Sequence, residues 1–211
     1  WSPLRFDPHY FLDFVCEPDR MIAYAPSLGI DKISDRLIEQ QIEKQIKRFK
    51  YISVRENSGA EIVSKMIGKK VIDVLDPTLL LEADEWRRYL NAQVQVSEPY
   101  LLAYFLEPNA SYWKAVYLLS RKLKLQIKTI PIFYADLKRE GVITGGISPW
   151  QFIEYIENAA YVCTDSFHGV AFSINFGKEF CCFERFKSKD RKNQNCRIYS
   201  ILDQLGLRNR L

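Results

Sequence analysis

No stretch of the sequence approaches the roughly 20 consecutive apolar residues that span a bilayer. The opening WSPLRFDPHYFLDFV lacks the basic start and apolar stretch of a secretory leader. The expectation is a cytoplasmic protein. Histidine is scarce: His9 and His168 are the only two, and neither stands at helical spacing from the other or from a cysteine pair, which argues against a histidine-rich metal site. The five cysteines, Cys16, Cys163, Cys181, Cys182 and Cys196, are odd in number and contain no CxxC, so neither a disulfide framework nor a structural zinc site is expected. Three of them lie in apolar, strand-like contexts where a reduced thiol packs as a small hydrophobe. No acidic cluster suggests magnesium. Also missing are a GxSxG elbow, a Walker A loop, HExxH, and a GxGxxG after a strand. The tryptophans Trp86, Trp113 and Trp150 fall at helical core spacings, and the aromatics do not alternate with basic residues as a nucleic-acid surface would. Neither a metal, nor a resident cofactor, nor a nucleic acid is therefore expected.

What is present is a globular composition. The chain has 211 residues, 47% hydrophobic and 27% charged, enough for one large or two small cores. MIAYAPSLG predicts a strand closing on a small-residue turn, residues 36–48 an amphipathic helix, and YISVRE the next strand. NSGAEIVSKMIG has capping-box spacing from Ser58 to Glu61 and stops at Gly68, so it predicts a short helix. KVIDVLDPTLLL follows as a strand ending at Asp76 and Pro77. This βαβαβ order predicts a parallel sheet. Residues 82–97 are more polar, and PYLLAYFL starts a fresh strand, which places a domain junction there: an N-terminal domain with linker over 1–97 and a C-terminal domain over 98–211. The second half predicts strand 100–106, helix 110–123, strand QIKTIPI, a loop with TGG, helix SPWQFIEYIENA, strand YVCTDS, helix 168–176 and strand EFCCF, before a last amphipathic helix, IYSILDQLGL. The N-terminal half opens without a convincing first strand and turn, so the expectation is a domain lacking an upstream βα unit.

In parallel α/β sheets, ligands bind beyond the carboxyl ends of strands, where loops feed into helix N-termini. Three turns qualify. APSLG offers Ser27 and Gly29, which suit a tight turn with or without a ligand. VREN offers Arg55, whose donor fork suits a carboxylate or phosphate. The alternative for Arg55 is an internal salt bridge to Glu56 or to a carboxylate elsewhere. TDSFHG offers Asp165 or Ser166 as a helix cap, His168 in the first helical turn, and Gly169, which leaves the backbone open to a ligand. A structural histidine is the alternative at that turn. The net charge is +4, and the segment RFKSKDRKNQNCR concentrates it in Arg185, Lys187, Lys189, Arg191, Lys192 and Arg197 against Asp190 alone. An anion would meet that segment first, unless it is simply a solvated loop.

With these turns identified, the sequence resembles the polysaccharide pyruvyl transferase family. IAYAPSLG, ISVRENSGAEIV, VLDPTLLL and TDSFHGVAFSINFGKEF stand in the family's order, with RIYSILDQLGL as a weaker fifth landmark. The resemblance implies two Rossmann-like domains with parallel sheets in the GT-B arrangement. It implies an enzyme that moves the enolpyruvyl unit of phosphoenolpyruvate, its co-substrate, onto two hydroxyls of a sugar, giving a pyruvate ketal and phosphate. The acceptor would be a lipid-linked or nucleotide-linked saccharide of a bacterial capsule or exopolysaccharide. A lipid-linked acceptor would bring the protein to the inner face of the membrane. His168 matches the family's histidine, with a general-acid or phosphate-contact role, and Arg55 matches its strand-end arginine. Ser27, Gly29, Asp165, Ser166 and Gly169 would shape the substrate sites. Lys187, Lys189 and Arg191 would supply a second cation for the donor, and Arg197 would position it. Some family members carry an arginine two residues before the histidine, where this chain has Ser166, so one donor-site cation is missing: either the basic segment 185–197 replaces it or the donor is not phosphoenolpyruvate. Two other readings stand beside this one: a GT-B-like glycosyltransferase using a nucleotide sugar, and a non-catalytic saccharide-binding protein.

Overall fold

A computed structural model of the chain describes residues 5–90, 94, 96–187, 190 and 193–211. It is an α/β fold with two parallel sheets and, among the described residues, seven α-helices. None of those helices is long and apolar enough to cross a membrane. Two compact units emerge, one from Trp1–Pro77 with Phe186–Gly206 and the other from Thr78–Arg185 with Leu207–Leu211. The chain thus changes unit near Pro77, about 20 residues before the composition shift at 97, and returns to the first unit near Phe186. The local sequence carries no mark of that return, because it depends on which core the last helix covers.

The first unit holds a three-stranded sheet ordered β1 (Ile22–Ala23), β2 (Tyr51–Val54) and β3 (Ile72–Asp73), all parallel. Helix α1 (Arg36–Ile46) connects β1 to β2 and is capped by Asp35, whose Oδ1 accepts from the amides of Leu37 and Ile38. Its buried side, Ile42 and Ile46, packs with Val54, Val63 and Met66 into one core. Burying such side chains stabilises the unit by roughly 1.5–3 kcal/mol each. Helix α2 (Asn57–Ile67) connects β2 to β3 and ends at Gly68, whose φ of +67° closes it in the left-handed region. The expected capping box does not form. Glu56 is the N-cap residue, and Ser58 lies inside the helix, donating to the Ile30 carbonyl at 3.2 Å.

The second unit holds four parallel strands in the order β5 (Gln126–Ile130), β4 (Tyr100–Tyr104), β6 (Tyr161–Thr164) and β7 (Glu179–Cys182). Tyr100 to Ala103 of β4 are fully buried, as expected of a central parallel strand covered on both faces. Helix α3 (Ala83–Tyr89) precedes the sheet, and α4 (Ala110–Leu123) packs Trp113 and Val116 against Leu101, Ala103 and Ile127. Helix α5 (Pro149–Glu157) starts from the capping box of Ser148 and Gln151, with Pro149 in its first turn. Helix α6 (Phe167–Asn175) follows β6. Trp113 is core, as its spacing implies, whereas Trp150 remains 43% exposed and stacks on Tyr89. The last helix, α7 (Cys196–Gln204), belongs to the first unit and starts two residues earlier than its apolar pattern.

Candidate active site

Each unit presents strand ends where chemistry can gather. In the second unit, β5 lies on one side of β4 and β6 on the other, so the strand order reverses at the carboxyl ends of β4 and β6. Such a reversal point is the usual ligand position in open parallel sheets.

The turn TDSFHG sits at this point, and its side chains hold the backbone of the turn and of the β4 exit in place. Thr164 Oγ1 donates to the Tyr104 carbonyl at 2.7 Å and accepts from the Ser166 amide at 3.1 Å. Asp165 Oδ1 accepts from the Leu106 amide at 2.7 Å, which ties the exit of β4 to that of β6. Ser166 caps α6 by accepting from the Gly169 amide at 3.3 Å. Of the two caps considered from sequence, Ser166 serves and Asp165 does not. Gly169 has a packing reason to be glycine: a Cβ there would lie 2.6 Å from Thr164 Oγ1, so a larger residue would push α6 off the strand end.

His168 differs from its neighbours. Between Val162 and Ser173 it is the one exposed residue, with Asp165, Ser166, Phe167 and Gly169 all buried around it. Its ring meets that of Phe167 edge to face at 5.4 Å. The turn is therefore a buried frame that presents an imidazole outward at a helix N-terminus. Asp165 adds a titrating group to that frame. It is 1% exposed, its Oδ2 is buried without a hydrogen-bond partner, and burial pushes its carboxyl up to about 6, a rise that the Leu106 amide and the Arg185 charge limit.

In the first unit, the exits of the three strands converge on Arg55. Its Nε donates to the Ala25 carbonyl after β1 at 3.2 Å, and its Nη1 pairs with Asp76 Oδ2 after β3 at 2.5 Å. The salt bridge weighed from sequence exists, and its partner is the distant Asp76. Arg55 keeps 18% of its side chain exposed, against 2% for Asp76. Ala25 adopts φ +52° and Gly29 φ +67°, so the APSLG turn passes twice through the left-handed region, the second time on a glycine that favours it. A Cβ at Gly29 would meet Gln194 Cγ at 3.3 Å.

Glu56 is the functional candidate that strand patterning overlooked. It is 1% exposed, its Oε1 accepts from the Ser27 hydroxyl, and its Oε2 is buried with no hydrogen-bond partner. Burial raises its pKa, and the Ser27 hydrogen bond and the charges of Arg55 and Arg197 oppose the rise. The alternation in YISVRE carries the signal: Val54 points inward, so Glu56 two positions on does too.

The basic segment is anchored rather than loose at its ends. The Asn195 side chain accepts from the Phe186 amide at 3.2 Å and donates to the Phe186 carbonyl at 2.7 Å, which closes the loop between them. Lys187 is exposed on it, and Arg197 is half-buried with Nη2 donating to Gln194 Oε1 at 2.9 Å. Lys189 and Arg191 lie outside the described residues.

A family model described as polysaccharide pyruvyl transferase matches residues 2–187. The chain belongs to the polysaccharide pyruvyl transferase family. Polysaccharide pyruvyl transferases are enzymes, and their name states pyruvyl transfer to a polysaccharide. Among curated proteins no sequence matches the chain. Within this pyruvyl transferase, Ser166 has a local explanation. The residue is 4% exposed and supplies the α6 cap, a task an arginine at the same position could not perform.

Proposed function

We propose that the protein transfers the pyruvyl unit of phosphoenolpyruvate onto two hydroxyls of a sugar in a surface polysaccharide or its lipid-linked or nucleotide-linked precursor. The product is a pyruvate ketal, and phosphate leaves. The observation that carries this reading is the exposed imidazole of His168 on an otherwise buried strand-to-helix turn at the reversal point of its sheet.

The chemistry suits the groups assigned to it. Ketal formation needs a proton on the donor's methylene carbon, which makes the neighbouring carbon electrophilic. One sugar hydroxyl adds there, phosphate departs with the original C–O bond pair, and the second hydroxyl closes the ketal. His168 is the proposed general acid, or the donor to the departing phosphate. Asp165, Ser166 and Gly169 enter the proposal as the frame that holds it. Arg55 is the proposed anion contact of the first unit, because its guanidinium stands at the strand exits and its side chain keeps some exposure there. Ser27, Gly29, Lys187, Lys189, Arg191 and Arg197 are proposed to complete the binding of donor and acceptor. Two Rossmann-like domains of the GT-B kind, and contact with the inner membrane face through a lipid-linked acceptor, belong to the same reading and rest on the family resemblance.

The test is incubation of the protein with phosphoenolpyruvate and a panel of lipid-linked and nucleotide-linked saccharides. The expected result is the mass gain of one pyruvyl ketal with equimolar phosphate. Release of a nucleoside diphosphate from a nucleotide sugar, with no pyruvyl gain on any acceptor, would instead make the protein a glycosyltransferase.

A further inference from the structure

The loops that return to the amino ends of β2 and β3 make the far pole of the first sheet strongly basic. Lys47 and Lys50 come from the α1–β2 connection, and Lys69 and Lys70 from the α2–β3 connection. All four are exposed, and all four line one open cavity of about 380 Å³ with Phe49 and Tyr51 in its wall. Two acids lie nearby: Glu43 pairs with Lys47 at 2.5 Å, and Asp19 stands 4.0 Å from Lys50. Among the described residues Lys69 and Lys70 have no acidic partner. An aromatic ring sits among these cations. Tyr51 is 61% exposed, and Lys50 Nζ lies 5.7 Å from its ring centroid.

This combination fits one kind of partner. Long lysine stems keep their ammonium groups in water while covering apolar surface. An exposed tyrosine places its ring at the level of lipid headgroups and its hydroxyl in the water above. A single-stranded nucleic acid would call for a row of stacking aromatics, and here one ring is exposed beside the lysines. A small soluble anion would call for convergent, enclosed donors, whereas these four ammonium groups are exposed on long lysine stems.

We propose that this pole of the first unit docks on an anionic phospholipid surface, with Tyr51 at the headgroup level and Lys47, Lys50, Lys69 and Lys70 on the phosphates. Ser27, Arg55 and Glu56 stand at the opposite, carboxyl end of the same strands, so docking leaves them uncovered. The proposal is independent of the reaction assigned above.

Co-sedimentation with vesicles tests it. Binding is expected to phosphatidylcholine vesicles containing phosphatidylglycerol, to weaken as salt rises, and to be absent with phosphatidylcholine alone. Each lysine near an anionic surface contributes about fivefold in affinity, so Lys69→Glu with Lys70→Glu is expected to lose at least about 30-fold. Both positions are exposed, so an unchanged melting curve will accompany that loss. The exposed pair Lys122→Glu and Lys124→Glu, in the second unit, is expected to bind as wild type. Equal binding to both vesicle types, full binding by the Lys69 and Lys70 variant, or equal loss in the Lys122 and Lys124 variant would overturn the assignment. So would displacement from vesicles by millimolar-range inorganic phosphate at constant ionic strength, which would make the site one for a soluble anion.

Discussion

Arg55 holds Asp76 at 2.5 Å with Nη1 and the Ala25 carbonyl at 3.2 Å with Nε, so a single side chain ties together the exits of all three strands of the first sheet. Asp76 is almost fully buried, with the Arg55 guanidinium as an ion-pair partner. Removing one partner of a buried ion pair leaves an uncompensated charge, at a cost of about 3–5 kcal/mol. Arg55→Ala is therefore expected to destabilise the protein by about 3 kcal/mol in urea unfolding, in addition to any loss of turnover. The double variant Arg55→Ala with Asp76→Ala should recover part of that loss. Single and double variants of equal stability would show that the pair does not couple the strand exits.

His168 should behave in the opposite way. It is exposed on a buried frame, and substitutions at such positions change stability by about 0.5 kcal/mol or less. His168→Ala is expected to retain the wild-type melting temperature and lose about 100-fold to 10,000-fold in turnover, the range of a positioned general acid. Turnover within a few fold of wild type would remove His168 from the chemistry.

Gly169 separates packing from ligand access. Thr164 Oγ1 lies 2.6 Å from where a Cβ would stand, so Gly169→Ala overpacks the contact between α6 and β6 and should cost about 1–3 kcal/mol. Gly146→Ala, where a Cβ meets nothing within 4 Å, should be nearly neutral. Thermal unfolding of the two variants side by side distinguishes a packing glycine from one kept for substrate approach, which would lose activity without losing stability.

Asp165 makes stability depend on pH. Its carboxyl is raised from 3.8 to about 6 by burial, so between those values the folded state binds more protons than the unfolded one. Stability then falls as pH rises from about 4 through about 6, by on the order of 3 kcal/mol, and is level for this group on either side. Asp165→Asn keeps an acceptor for the Leu106 amide and removes the charge. Its stability relative to wild type is expected to increase across that window, measured by urea unfolding at several pH values. Glu56, also raised by burial, contributes equally to both proteins and cancels in the difference. A constant difference from pH 4 to 7 would mean that Asp165 titrates as an ordinary carboxylate.

Glu56 joins stability to function. Glu56→Gln retains an oxygen to accept from Ser27 and removes a buried charge, so stability at pH 7 should hold or rise. If this buried carboxylate beside Ser27 and Arg55 takes part in the reaction, turnover should fall while stability is kept, as happens where a destabilised group serves the site. Unchanged turnover would leave Glu56 as a packing residue of the α2 N-terminus.

Local patterning is enough to place the main elements and their parallel order. Strand and helix periods depend only on neighbouring residues, and the short crossovers admit few topologies. It also singled out the turns at the strand ends, because Gly29, Arg55 and the TDSFHG run are unusual in their local setting. What the side chains in those turns do depends on contacts made across the fold. Asp76 is 21 residues from Arg55, and Leu106 is 59 residues from Asp165, so neither pairing has a local signature. The capping box at Ser58 failed for the same reason: the Ile30 carbonyl offered that hydroxyl a better partner than its own helix. The exposure of His168 among buried neighbours, and the return of residues 186–206 to the first unit, follow from which surfaces the packed helices cover. That is a property of the assembled core, which no short stretch of chain contains.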